Sequence, residues 1–148
     1  MPAAIKTKEV YRIIDANFNR LKEGLRVCEE ISRFILQDSR LSTEIKHTRH
    51  KIGQIIKHFI TYANLIKGRD SLMDIGKNIH AIGELKRKGI KDIFFANIQR
   101  VKESIRVLEE FSKLYSEKSA LEFKALRYSI YEIEKKAAKR LAALRYYR

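Results

Sequence analysis

The second half of this chain repeats the first, and that duplication constrains its fold more than any other feature. Residues 17–34 read NFNRLKEGLRVCEEISRF and residues 97–114 read NIQRVKESIRVLEEFSKL, identical at nine of eighteen positions at an offset of 80. Eight of the nine identities are polar, so a shared hydrophobic pattern alone does not explain them. A second match follows at an offset of 78, between EIKHTRHKI from Glu44 and EFKALRYSI from Glu122. The turn between the matched segments therefore differs in length by two residues.

Each copy reads as a helical hairpin. Leu41, Ile45, Thr48, Ile52, Ile55, Phe59, Tyr62 and Ile66 alternate steps of four and three, the spacing of a bundle seam. Ile14, Phe18, Leu21, Leu25, Cys28 and Ile35 form the facing stripe. Phe94, Ile98, Val101, Ile105, Leu108 and Tyr115 line the third helix, and Phe123, Leu126, Ile130, Ile133, Ala137 and Leu144 the fourth. Helices are expected over 7–37, 41–67, 90–116 and 119–146. Proline occurs once, at position 2, so nothing interrupts them. The expected fold is all-α: one domain over 1–148, an up-down-up-down four-helix bundle made of two duplicated hairpins, 10–66 and 93–144. The connector 67–90 holds four of the six glycines, and a short helix is expected near Lys77–Arg87. With this topology the connector caps the bundle end where helices one and three begin.

Charge is the main clue to partners. The net charge is +14, and Lys135, Lys136, Lys139, Arg140, Arg145 and Arg148 crowd the last fourteen residues without an acid. Cations there complement a helix C-terminus. Elsewhere the cations alternate with Glu at helical spacing, a pattern of solvated ion-pair ladders more than of a nucleic-acid stripe. Tyr146 and Tyr147 in the basic tail offer a surface for stacking on bases or simply end a helix. The start, MPAAIKTKEVYR, has no apolar core of a signal peptide, and no apolar run is long enough to span a bilayer. The expected location is the cytoplasm, with no membrane partner. A single cysteine, Cys28, lies on an apolar stripe and reads as a small core residue. His47, His50, His58 and His80 lack metal-ligand spacing, and His47 and His50 read as a wet helix face.

Two matching polar ladders remain: Asn17, Arg20, Glu23, Arg26, Glu30 and Arg33, then Asn97, Arg100, Glu103, Arg106, Glu110 and Lys113. Pairs at i,i+3 and i,i+4 contribute ~0.2–0.5 kcal/mol each. Antiparallel register sets Glu30 opposite Arg49 and Glu110 opposite Arg127, a tie within each hairpin, and leaves Lys46 and Lys124 exposed. At the other end Asn17 and Asn97 fall within the apolar sector with Arg20 and Arg100 at its edge. Such groups need partners, because burying them alone costs several kcal/mol. They form either a buried structural network or one ligand cleft beneath the connector, joined there by Arg69, Asp70 and Asp74. Arginines, helix N-termini and loop carboxylates suit a phosphorylated ligand with Mg²⁺.

Four strings in order, RIIDANFNRLKEGLRVCEE, KHTRH, RDSLMDIG and FANIQRVKESIRVLEE, resemble the monofunctional hydroxymethylpyrimidine phosphate kinase family of thiamine biosynthesis, a domain often fused in front of thiamine phosphate synthase. The resemblance implies ATP-dependent conversion of 4-amino-5-hydroxymethyl-2-methylpyrimidine phosphate to its diphosphate, with Mg²⁺. The roles follow from the physics of phosphoryl transfer, in which the protein positions groups and neutralises charge: Arg20, Arg69 and Arg100 are expected to clamp phosphate and Asp70 and Asp74 to hold Mg²⁺. Asn17, Asn97, Glu23, Glu103, Arg26 and Arg106 are expected to contact the pyrimidine substrate. The acceptor is already a phosphate monoester, so no strong general base is required. Thiamine phosphate synthase is a candidate partner and a homodimer a candidate assembly. Two other readings stay open: a basic helical nucleic-acid-binding module, and a non-catalytic partner of the synthase.

Overall fold

In a computed structural model the described residues, 7–144, form helices joined by turns, with no strand among them. Residues 145–148, with Tyr146 and Tyr147, lie outside them. Helix α1 (Thr7–Glu30) continues into a wider π-helical turn, Ile31–Ile35, closed by Leu36 N donating to Ile31 O at 3.0 Å. Gln37 then takes a left-handed φ of 52°, and Asp38 caps α2 (Ser39–Lys57) by accepting from Leu41 N at 3.0 Å. The second hairpin, α4 (Ile90–Ser112) and α5 (Glu117–Ala142), turns more tightly, with Ser116 as the cap. A π turn accommodates an inserted residue without ending a helix. It takes up part of the two-residue difference between the repeats and shifts the stripe, so Ile31 and Leu36 are buried where Ile35 was expected.

The all-helical bundle of two hairpins is as expected, but the second hairpin runs the other way. Cys28 on α1 lies 3.9 Å from the Phe94 carbonyl at the start of α4, and Tyr11 meets Tyr115 at its end. Helices α1 and α4 are therefore antiparallel, and the order is up-down-down-up. The two hairpins are related by a two-fold axis perpendicular to the helices. Glu44 of α2 binds Lys136 of α5, while Glu122 of α5 faces His58 of α2, and both steps follow the offset of 78. Repeated helices with identical stripes pack most simply through such a self-complementary contact. The connector is long enough to permit the reversal. It runs along the bundle from the α1 N-terminal end to the α1 C-terminal end, instead of capping one end.

Two further expectations fail locally. The helix expected over 41–67 breaks after Lys57 and resumes as α3 (Tyr62–Gly68), capped by Thr61 Oγ1. Ile56, Ile60 and Leu65 are buried in place of Tyr62 and Ile66. Gly68 then sits against the backbone of Lys8, so α3 folds back onto α1. The connector contains no helix at Lys77–Arg87, only separate turns such as Lys77 N to Asp74 O and Glu84 N to Ala81 O. Gly83, at φ +82°, interrupts any continuous ladder.

The core lies between all four long helices, with Ile14, Leu21, Leu25, Ile45, Ile52, Phe94, Ile98, Ile105, Leu108 and Phe123 fully buried. Cys28 is among them, and burial together with the charge of Glu134 pushes its thiol up to about 12. It is an inert core residue. Where α1 crosses α4, a Cβ on Gly24 would meet Val101 Cγ2 at 2.7 Å and the Asn97 carbonyl at 3.1 Å. Glycine here sets the close approach that brings the two ladders side by side. No helix among the described residues is long and apolar enough to cross a membrane.

Candidate functional site

The ladders divide into a scaffold half and an open half. In the scaffold half the buried carboxylates are Glu29 and Glu109. Arg49 Nε donates to Glu29 at 3.1 Å and Arg127 Nε to Glu109 at 3.0 Å, each joining the two helices of its hairpin. The expected ties through Glu30 and Glu110 are therefore off by one residue. A step of 100° turns Glu30 and Glu110 outward, where they pair with Arg26, Arg106 and Lys113. Arg26 and Arg106 also bind Glu29 and Glu109, so both belong to this network, and Arg106 with Glu109, Lys113, Lys124, Arg127 and Tyr128 lines a groove of about 590 Å³ between α4 and α5. The hydrogen bonds that Arg127 donates to Glu109 and to Tyr131 raise its pKa further above its usual value. Lys46, Lys124, His47 and His50 are exposed, as expected.

The open half lies on the outer face of α1 and α4. Asn17 and Asn97 occupy equivalent places, each donating to the carbonyl four residues earlier, Ile13 O at 2.9 Å and Ile93 O at 2.8 Å. Each amide donor is thus satisfied locally, which leaves its oxygen available to accept. Asn97 and Arg100 line a different groove from Asn17 and Arg20. They stand beside Glu23, Gly24 and Val27, in a groove of about 470 Å³ that Glu103 and the connector's Arg87 complete. Asn17 and Arg20 line a second groove of about 330 Å³ with Glu9, Arg12 and Asp74. Arg12, Arg20 and Arg100 have no ion-pair partner among the described residues. With the connector's Arg87 they are cations this face can offer to an anion.

Asp15 governs how the connector meets this face. It is 5% exposed, and Arg69 Nε and Nη2 reach its two oxygens at 2.7 Å each. That bidentate bond raises the Arg69 pKa further. Arg69 is therefore the anchor of the connector, and its guanidinium is not free to clamp phosphate. The repeat conceals Asp15, because its counterpart is Phe95. An unmatched acid beside the buried Ile14 needs a cation, and that was the available signal. Arg12 was also missed, since it precedes the repeated strings.

Asp70 and Asp74 line a small pocket of about 130 Å³ together with Asp15, Asn19, Arg69 and Ser71. Each carboxylate spends one oxygen on its own loop, Asp70 Oδ1 accepting from Met73 N at 3.3 Å and Asp74 Oδ1 from Gly76 N at 2.8 Å. No three His, Cys, Asp or Glu side chains converge as a metal cage among the described residues. With Asp15 occupied by Arg69, two half-used carboxylates fit a Mg²⁺ that arrives on a substrate phosphate and keeps its waters. They do not fit a protein-only site.

A model of the ThiD2 family matches residues 12–136. The chain belongs to the ThiD2 family. It is 40% identical over 125 residues to a thiamine-phosphate synthase of Nostoc punctiforme, covering 84% of this chain and 34% of that protein. It is 32% identical over 139 residues to a thiamine-phosphate synthase of Rhodopirellula baltica, covering 94% and 37%. The chain thus spans about a third of the length of those relatives. No solved structure matches it. The matched region contains both ladders, Asp15, and the connector with RDSLMDIG, so of the groups lining the two grooves only Glu9 falls outside it.

Proposed function

We propose that this chain acts in thiamine biosynthesis as a phosphotransferase, converting 4-amino-5-hydroxymethyl-2-methylpyrimidine phosphate to its diphosphate with ATP. The observation that supports it best is the α1–α4 face. Unpaired Arg20 and Arg100 stand there with Asn97, Glu23 and Glu103, in grooves within the size range of small-ligand sites. Phosphoryl transfer asks a protein chiefly to position groups and neutralise charge. The acceptor's phosphate oxygen attacks the γ-phosphorus of ATP, the bond to the β–γ bridging oxygen breaks, and ADP leaves. No side chain has to remove a proton from an already ionised phosphate.

On this reading Arg20 and Arg100, with Arg12, bind phosphate oxygens, and Asn97, Glu23 and Glu103 contact the ring and its amino group. Asp70 and Asp74 hold Mg²⁺ carried in by the nucleotide. Rejection of the free alcohol follows, since it lacks the group that the arginines bind. Thiamine-phosphate synthase, the name carried by the relatives, is the proposed downstream partner.

The test is a coupled assay for ADP release with the pyrimidine phosphate, ATP and Mg²⁺, run beside Arg100→Ala and Asp74→Asn. Losing a charge-neutralising group in the transition state should cost at least about 100-fold in turnover, or ~2.7 kcal/mol. Asp74→Asn keeps an acceptor for Gly76 N, so it should melt with the parent. Excess Mg²⁺ should restore part of its rate. Turnover of Asp74→Asn within threefold of the parent at limiting Mg²⁺ would make Asp74 a loop cap alone. No ADP release from the parent would remove the kinase reading.

A further inference from the structure

The connector leaves six large apolar side chains in water: Leu72, Met73, Ile75, Ile79, Ile82 and Leu85 are each at least 69% exposed. Such a run within fourteen residues is unusual for a molecule whose helices bury their stripes well, and exposed apolar surface of this kind marks a contact. Leu72, Ile75, Ile79 and Ile82 follow at steps of three, four and three, the spacing that would put them on one side if the separate turns of this segment joined into a helix.

Both ends of the run are tied to the α1–α4 face. Arg69 holds the first end to buried Asp15, and Asp92 accepts from Lys88 N at 3.0 Å at the other. Asp74 lines both grooves on the α1 side, and Arg87 lines the groove with Asn97 and Arg100. Residues 75–86 therefore arch between two fixed points over one face, with Gly83 at φ +82° among them. In the structure described the arch stands off the face. The face beneath presents Arg20, Arg100, Glu23, Glu103 and Asn97, which offer apolar side chains nothing to cover. A planar heteroaromatic ring bound there would change this, since its phosphate would meet the arginines and its ring would offer an apolar surface.

We propose that Leu72, Ile75, Ile79 and Ile82 form the second wall of the ligand site, folding over the α1–α4 face when a ring-bearing phosphorylated ligand occupies it. The inference rests on the proposed function, and names the specificity element of that same site. It accounts for how the site distinguishes a pyrimidine phosphate from phosphate itself, which arginines alone do not. It also supplies the exclusion of water that phosphoryl transfer gains from closure.

Trypsin reads the arch directly, because Lys77, Lys86, Arg87 and Lys88 lie in exposed non-helical chain. The pyrimidine phosphate, its binding measured separately by calorimetry, should slow cleavage of the arch at least tenfold. Inorganic phosphate at equal occupancy should not. Ile79→Ser combined with Ile82→Ser should leave Tm unchanged, since neither side chain is packed in the open form, and should weaken pyrimidine phosphate binding at least tenfold. Binding without protection would overturn the inference and leave the kinase reading standing. So would equal protection by inorganic phosphate, or an unchanged affinity in the double variant. A dimer in sedimentation that the double variant disperses would assign the run to contact between copies. Failure of the pyrimidine phosphate to bind the parent at all would overturn both the inference and the reading beneath it.

Discussion

Replacing Arg49 by Ala tests whether the scaffold half of each ladder is structural. Glu29 keeps only 7% of its side chain exposed and Arg49 16%, and their contacts are at 3.1 Å. Removing Arg49 strands a buried carboxylate beside Arg26, which is more than half exposed and reaches it at 3.4 Å. Breaking a buried pair from one side costs ~3–5 kcal/mol. Arg26 remains as a weak partner, so a value near 3 kcal/mol is expected. For a chain of this size each kcal/mol moves Tm by roughly 2–4 °C, which gives a fall of about 6–12 °C. Arg26→Ala removes only an exposed partner, worth at most ~1 kcal/mol, and should shift Tm by a few degrees at most. The two-fold repeats the experiment, since Arg127→Ala strands Glu109 and should fall by a similar amount. Thermal melts followed by circular dichroism at neutral pH read all three, and pyrimidine phosphate affinity should be nearly unchanged in each. Arg49→Ala melting within 2 °C of the parent would refute the reasoning. So would an Arg26→Ala variant as unstable as Arg49→Ala.

Three further outcomes follow from single contacts. Gly24→Ala gains ~1 kcal/mol of helix propensity but drives a methyl to 2.7 Å from Val101, an overpacking of ~1–3 kcal/mol. Net destabilisation is expected in urea unfolding, and Val101→Ala in the same chain should relieve part of it. Asp15→Asn keeps the shape of the buried side chain but removes the charge that Arg69 grips at 2.7 Å. It should cost ~1.5 kcal/mol, the low end for a charged hydrogen bond because Arg69 is partly exposed, and should speed tryptic cleavage of the connector. The Cys28 thiol is held neutral by burial, up to about 12 against an unfolded value of 9.0. A folded pKa above the unfolded one gives stability present below pH 9 and lost as pH rises toward 12, by up to ~1.4 kcal/mol per pH unit. The parent should therefore lose stability faster than Cys28→Ala between pH 9 and 11. Parallel curves for the two would refute that assignment.

The hairpins were legible because their information is periodic and local. Stripes at steps of three and four place α1, α2, α4 and α5, and the repeat alone relates Arg49 to Arg127. What failed was set by single residues or by long-range packing. Glu30 for Glu29 is an error of one position on a helix, too fine for a pattern that tolerates either. The break after Lys57 depends on Thr61 as a cap and on Phe59 stacking against Tyr115, contacts between residues far apart in the sequence. The helix expected in the connector had the right apolar spacing but has nothing to pack against, and short isolated helices are marginal in water. Arg69 looked like a free cation because its partner Asp15 lies fifty-four residues away.

The reversed hairpin has the largest consequence for the site. With α1 and α4 parallel, like residues of the two ladders would meet, Asn17 by Asn97 and Arg20 by Arg100, and two arginines would repel across one cleft. With the helices antiparallel, Asn97 and Arg100 line one groove and Asn17 and Arg20 another. Glu23 comes to the groove of Asn97 and Arg100, so a carboxylate and a guanidinium share it. The two-fold alone would make two identical grooves, but the chain passes over this face only once. Asp74 enters beside Asn17 and Arg20, and Arg87 enters beside Asn97 and Arg100. Asp15 has Phe95 as its counterpart and Gly24 has Ser104, so the anchor and the closest helix contact each exist on one side only. A duplicated scaffold thereby carries a face whose two halves differ in charge and shape, and the difference comes from the connector and a few unmatched positions, not from the ladders.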